Sequence, residues 1–373
     1  MSSEKLSSHE ISVGKALPWP VYNEEGKLLL QKGTIISNER QLATLLEKGL
    51  YRNLSDQKEN KDYARPFQDT SSPFELLATM QHRLGGIFSS IRAKQDGMEE
   101  RVGKFCNELR ELCNRYPDAT LGAVHLCSTT PYTLCHPLHV AILSEMMSRR
   151  EGYNEDKTNS VLAAALTANI SILELQEQLQ AQSEPLSDTQ REQIQAHPLE
   201  SKRILQEAGI TDPLWLDIVA QHHERIDGSG YANGLTARSI LKESQLVGIS
   251  DRYAAMITPR AYRPPLSSRQ VLRELFLNKH RDFDEVTQIA FIKELGVYPP
   301  GTYVELANGE KSIVVKRSTN SNRPLVSSIM NGDGKPYANP LRRNTADSSY
   351  RIKDIYIPKN ELRMQLNIVW GYK

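Results

Sequence analysis

Three separated stretches of this 373-residue chain put a histidine or an aspartate in phase with apolar residues at helical spacing. His136 runs with Val140, Leu143 and Met147, His222 with Leu214 and Ile218, and Asp251 with Val247 and Ala255. A polar group left unpaired in an apolar interior costs roughly 2–7 kcal/mol, so such helices must bring these groups to partners. The pattern therefore predicts a mainly α fold whose helix faces converge on one interior polar site. The second stretch continues as His222-His223-Glu224-Arg225-Ile226-Asp227-Gly228-Ser229-Gly230-Tyr231. Two adjacent imidazoles and two carboxylates are ligands for first-row divalent metals, and the bracketing glycines supply the positive φ of a tight turn. Taken singly, His136 or His139 reads as a hydrogen-bonded core residue, and Asp227-Gly228-Ser229-Gly230 as a plain turn.

The segment resembles the HHExxDGxGYP signature of the HD-GYP family, with Ala232 in place of the final proline. The likeness continues in family order. His136-Pro137-Leu138-His139-Val140-Ala141 resembles the HSxxVA stretch, and His197-Pro198 the middle His-Pro. Asp251-Arg252-Tyr253-Ala254-Ala255-Met256, with Arg260-Ala261-Tyr262-Arg263-Pro264, is similar to DxYDAL...RxYRP. Leu295-Gly296-Val297-Tyr298-Pro299-Pro300-Gly301 is similar to LGxYPPG. The resemblance covers about residues 118 to 320. It implies an HD-type helical bundle and the chemistry of bacterial cyclic di-GMP signalling, whose members are metal-dependent phosphodiesterases or binding proteins.

One motif departs from the family. Where the resemblance would have LLHDIGK, the chain reads Leu166-Thr167-Ala168-Asn169-Ile170-Ser171-Ile172, so the His-Asp pair becomes Ala168 and Asn169, and Ile172 replaces the lysine. In the family that aspartate bridges two metal ions. An Asn carbonyl carries no charge and is a far weaker bridge between dications. What the resemblance leaves is His197, His222 and His223 for one divalent ion (iron, manganese or zinc) or none, with His136 and Asp251 remaining from the other metal position. Tyr231 is placed to stack on a base or to close its loop, and Arg260 and Arg263 to pair with a phosphate or to sit in solvent.

Composition narrows the partners. With 46 basic and 45 acidic residues the chain has no broad polyanion-binding charge, so nucleic acid is not the expected partner. Cys106, Cys113, Cys127 and Cys135 show no CxxC spacing, and Cys106 and Cys113 fall on one helical face. Buried thiols of a reducing cytoplasm are expected. The start Met1-Ser2-Ser3-Glu4-Lys5 lacks a signal-peptide pattern, and no membrane span is expected.

Residues 1–54 read as a small α+β module: a strand from Val21, a turn at Glu25-Gly26, a strand at Leu28-Leu30, and a helix after Ser37. Residues 55–71 are a polar linker. Residues 72–117 form a helical connector that opens on Ser72, Pro73 and Glu75, a capping box, with Phe74, Leu77, Leu84, Ile87 and Ile91 as an apolar stripe for core packing or a homodimer seam. Residues 118–296 are the HD-GYP-like domain. Residues 297–373 are a β-hairpin across Asn308-Gly309 followed by a loop-rich tail.

Two function classes lead. The first is a degenerate signalling protein that binds cyclic di-GMP, a related cyclic dinucleotide or a protein partner, with little or no hydrolysis. The alternative is a phosphodiesterase working on a single metal, with Glu224 or Asp251 in proton transfer. A third reading, an interaction module without a ligand, stays open.

Overall fold

The computed structural model describes residues 3–5, 21–22, 28–30, 34, 36, 51–53, 72–126, 131–259, 261, 265–277, 281–358 and 364–372. They fall into two units, Met1–Thr70 and Ser71–Lys373.

The first unit holds β1 (Ser3–Lys5), β2 (Val21–Tyr22), β3 (Leu28–Leu30) and β4 (Tyr51–Asn53), antiparallel in the order β1-β4-β2-β3. The hairpin read across Glu25-Gly26 pairs Val21 with Leu30 and Tyr22 with Leu28. The helix expected after Ser37 and the linker 55–71 lie outside the described residues.

The second unit begins where the capping box predicts. The Ser72 hydroxyl accepts the Glu75 N–H, the Glu75 carboxylate accepts the Ser72 N–H, and α1 runs Pro73–Arg92. Its stripe of Leu77, Leu84, Ile87 and Ile91 is buried in the core of the unit. Then follow α2 (Met98–Arg115), α3 (Pro117–Leu126), α4 (Tyr132–Arg150), α5 (Glu155–Thr167), a 3-10 turn (Ile170–Ile172), α6 (Leu173–Ala181), α7 (Asp188–Glu207), α8 (Pro213–Gln221), α9 (Lys242–Ile257), α10 (Ser268–Leu277) and α11 (Glu285–Leu295). Cys106 and Cys113 are buried on α2, and burial pushes both thiols up. Cys135 is buried on α4, and Cys127 lies outside the described residues.

α4 is the axle of this unit, packed against α5 and α9. Sixteen of its residues are buried, so it is enclosed on all sides, where the sequence pattern points to a single apolar face. The 27-residue run Glu155–Ala181 is long and apolar enough to cross a membrane by length and composition, but 72% of its most apolar window lies inside the helical unit. The 3-10 turn Ile170–Ile172 divides it.

The C-terminal segment is richer in strand than its loop-like composition suggests. β5 (Tyr303–Leu306) and β6 (Lys311–Lys316) form the expected hairpin, and β7 (Leu325–Met330), β8 (Pro336–Asn344) and β9 (Ile352–Ile355) complete a five-stranded antiparallel sheet, β8-β7-β6-β5-β9. The extra strands escape an apolar-alternation reading because part of the buried face is polar. The Ser312 and Ser328 hydroxyls meet at 2.8 Å, Ser328 donates to Glu310, and Arg343 pairs with the same carboxylate. On β6, Ile313 and Val315 pack with Ala119, Val369 and Trp370, while Val314 faces Val304, Leu306 and Val326. The short helix α12 (Leu366–Trp370) thereby ties the sheet to α3.

Candidate metal centre and cleft

His197 lies inside α7 just before Pro198. Proline has no N–H, so the carbonyl four residues earlier, that of Ile194, loses its helical donor. The His197 Nδ1–H takes that carbonyl at 2.6 Å. His222 follows the last residue of α8, where the final carbonyls of a helix lack intrahelical donors. Its Nδ1–H donates to the Val219 carbonyl at 2.7 Å. In both rings the backbone fixes the tautomer and turns Nε2 inward, and the two Nε2 atoms stand 3.2 Å apart.

His223 completes a cluster in which one ring nitrogen of each histidine lies within 4.8 Å of the others. Burial, then the neighbouring rings, hold all three below the usual imidazole range; His197 is lowered to about 3 and His223 well below its usual value, while the nearby Asp251 partly offsets the effect at His222. Neutral imidazoles with lone pairs turned toward a common point fit a divalent ion. Facing lone pairs at this distance repel unless a proton or a cation lies between them.

The approach of α9 brings Asp251 to the same cleft. A Cβ on Gly248 would lie 2.5 Å from the His222 carbonyl oxygen, so glycine permits the contact. Asp251 accepts the His136 Nε2–H at 2.8 Å. Burial works against its charge, but His136 above all, with His223 and His222, keeps its carboxyl well below the usual carboxylate range. Asp251 is thus hydrogen-bonded to His136 and electrostatically coupled to His222 and His223. Ala168 and Asn169 are buried at the end of α5, and neither lines the cleft.

The cleft is about 820 Å³, lined by His222, His223, Tyr231, Asp251, Arg225 and Arg252 among others. The Tyr231 ring lies 4.8 Å from that of His223, tilted by 32°. Glu224 is buried, and its carboxylate accepts the backbone N–H groups of Asn233 (2.7 Å) and Leu235 (2.8 Å). Both of its oxygens shape the loop that carries Tyr231. Asp227 caps its turn by accepting the Ser229 N–H at 2.9 Å. Arg260 and Arg263 lie outside the described residues. The arginines on the cleft wall are Arg225 and Arg252, both paired with the buried Asp282. They stand beside His223-Glu224 and Asp251 in the sequence, but an isolated arginine carries no signal of where it points.

Fold and site together define a helical domain with a three-histidine cluster at one cleft. Residues 123–286 match the family model described as HD domain. The resemblance to HD-GYP proteins read in the sequence holds there. A cyclic di-GMP phosphodiesterase of Pseudomonas aeruginosa is 27% identical over 232 residues, 62% of this chain and 56% of the relative. The cyclic di-GMP phosphodiesterase PdeB of Borreliella burgdorferi is 28% identical over 200 residues, 53% and 52%. A 3'3'-cGAMP-specific phosphodiesterase of Vibrio cholerae is 25% identical over 238 residues, 62% and 55%. The chain thus spans about half the length of these relatives. A solved HDG"Y"P protein from Bdellovibrio bacteriovorus is similar with a TM-score of 0.49 at 16% identity, over 79% of this chain and 99% of that one.

Proposed function

We propose that the chain is a cyclic-dinucleotide signalling protein that binds cyclic di-GMP or a close relative in the 820 Å³ cleft and hydrolyses it slowly or not at all. The observation that carries this reading is the contrast between the two halves of the site. His197, His222 and His223 are assembled, and backbone carbonyls orient the first two. Ala168 and Asn169 supply neither a second imidazole nor a bridging carboxylate, and His136 and Asp251 are bonded to one another.

The three histidines would hold one divalent ion, which would supply Lewis acidity toward a phosphoryl oxygen. Arg225 and Arg252 give the wall positive charge for a phosphate, and Tyr231 offers a ring face to a base. Glu224 holds the loop through two backbone N–H groups and does not serve as the proton carrier. Asp251, ionised and bonded to His136, would steer the ligand more than shuttle protons. The buried thiols suit action inside the cell.

Calorimetric binding of cyclic di-GMP to the full chain, paired with turnover in added manganese, iron or zinc against a chelated control, tests this. Saturable binding with turnover no faster than the chelated control supports the reading. Rapid turnover abolished by chelation would establish the single-metal phosphodiesterase instead, and absence of binding would leave an interaction module.

A further inference from the structure

A second cavity, about 590 Å³, lies between helices of the HD segment, α4 among them, and the C-terminal sheet. Its size falls within the roughly 300–1,000 Å³ typical of small-molecule sites. The wall combines α4 (Tyr132, Cys135, His136, His139), the end of α9 and the segment after it (Ile257, Thr258, Leu266), and the sheet with the residue that follows its last strand (Tyr303, Tyr356). None of the described lining residues is an aspartate, glutamate, lysine or arginine. This sets it apart from the first cleft, whose wall carries Arg225, Arg252, Asp251 and Glu274.

The wall is aromatic and its polar groups are mostly paired. Tyr132 stacks on His136 at 4.8 Å and 19°, and the rings of Tyr303 and Tyr356 meet edge to face at 6.5 Å. His125 is satisfied at both nitrogens, by the Leu121 carbonyl and the Tyr253 hydroxyl. The Ser268 and Thr302 hydroxyls meet at 3.3 Å, and Gln180 donates to the Pro259 carbonyl. Three polar atoms on the wall have no hydrogen-bond partner, His136 Nδ1, Gln180 Oε1 and His139 Nε2. His139 is 5% exposed, and burial lowers it to about 3 so that it stays neutral. A buried polar atom without a partner costs about 1–3 kcal/mol, which a ligand group that reaches it would recover.

We propose that this cavity is a second ligand site, distinct from the histidine cleft, for an uncharged planar aromatic or heteroaromatic molecule that stacks on the tyrosines and makes one hydrogen bond to His139. A charged ligand would be stripped of water here with no counter-charge on the described wall. An aliphatic one would leave the His139 nitrogen unmet. The inference stands on the cavity alone and does not depend on the cyclic-dinucleotide reading.

The test uses the full chain and N-phenyl-1-naphthylamine, an uncharged pair of aryl groups joined by one N–H, read by fluorescence. Saturable one-to-one binding is expected, with the sulfonated analogue 1-anilinonaphthalene-8-sulfonate about tenfold weaker. Leu266→Trp, which fills the cavity from one wall, should weaken the probe about tenfold or more, and His139→Leu several-fold, whereas His223→Ala in the first cleft should change nothing. Thr258→Phe blocks from another wall and decides the matter if Leu266→Trp does not fold. Absence of saturable binding, equal affinity for the sulfonate, binding unaffected by the filling variants, or loss in His223→Ala would each overturn the proposal.

Discussion

His197 and His222 face each other Nε2 to Nε2 at 3.2 Å, and each ring is held there by an Nδ1–H bond to the carbonyl three residues before it. A carbonyl only accepts, so each neutral ring keeps its proton on Nδ1 and presents a lone pair on Nε2. The repulsion between those lone pairs is relieved by a shared cation. If one metal ion binds this chain, His222→Ala should lower its affinity by about 100-fold or more, beyond the effect of losing an outer-shell partner. Elemental analysis after dialysis checks this, and a full equivalent retained by the His197→Ala, His222→Ala double variant would show that the ligands lie elsewhere.

Pro198 offers a test in which two readouts move in opposite directions. Pro198→Ala restores an N–H inside α7, which helps the helix by up to about 3 kcal/mol. The same N–H competes with His197 Nδ1 for the Ile194 carbonyl and frees the ring to turn. The variant should melt higher and bind zinc about tenfold more weakly. Higher stability with unchanged zinc affinity would mean that the carbonyl does not orient the ring.

The loop that carries Tyr231 depends on a close approach. A Cβ on Gly230 would lie 2.4 Å from the Arg225 nitrogen and 2.6 Å from the Glu224 Cα, both backbone atoms that cannot step aside. Gly230→Ala should cost about 1–3 kcal/mol by overpacking, and Glu224→Gln a similar amount by giving one backbone N–H a donor in place of an acceptor. Urea midpoints measure both. If Glu224→Gln leaves stability unchanged while altering turnover, its role is chemical and not architectural.

The sequence made the site more legible than the frame around it. His136, His197, His222, His223 and Asp251 announce themselves because imidazoles and a carboxylate on apolar helix faces need partners, and the family motifs order them. The family motifs also group them, His197, His222 and His223 together and His136 with Asp251; what was not legible is the backbone packing around each group, Gly248 against the His222 carbonyl and Pro198 freeing the Ile194 carbonyl for His197. The capping box at Ser72 and the Asn308-Gly309 hairpin are local, so short stretches suffice to read them. Strands β7 to β9 are not local signals; Ser328 of β7 meets Ser312 of β6 and Glu310 just before it only once the sheet exists.

Acid should destabilise this fold early, through histidines that bind no metal in the proposed scheme. His139 is lowered to about 3 and His125 to about 4, both by burial. The unfolded chain takes up these protons below its ordinary value of 6.5, while the folded chain does not until the lower values are reached. Stability is therefore full above pH 6.5 and falls as the pH drops from there toward 3. By linkage each such histidine costs about 2 kcal/mol at pH 5. The urea midpoint of the His139→Leu variant should decline less steeply between pH 7 and 5 than that of the native chain. Parallel declines would show that His139 is already protonated in the folded state.

Restoring the departed motif asks whether the rest of the pocket still fits two ions. Ala168, Asn169 and Ile172 sit at the end of α5 and in the 3-10 turn that follows, and Ala168 and Asn169 are buried. Ala168→His, Asn169→Asp and Ile172→Lys together would return an imidazole, a bridging carboxylate and an ammonium in family order. His136 and Asp251 could then leave each other for a second ion, and metal content should rise from about one toward two equivalents. A buried carboxylate without its outer partners costs several kcal/mol, so the variant should melt lower without metal and recover when manganese or iron is added. Metal-dependent recovery with two bound ions would mean that only the bridging position separates this chain from a two-metal site. A folded triple variant that gains no metal would show that the His136–Asp251 pair has closed that position.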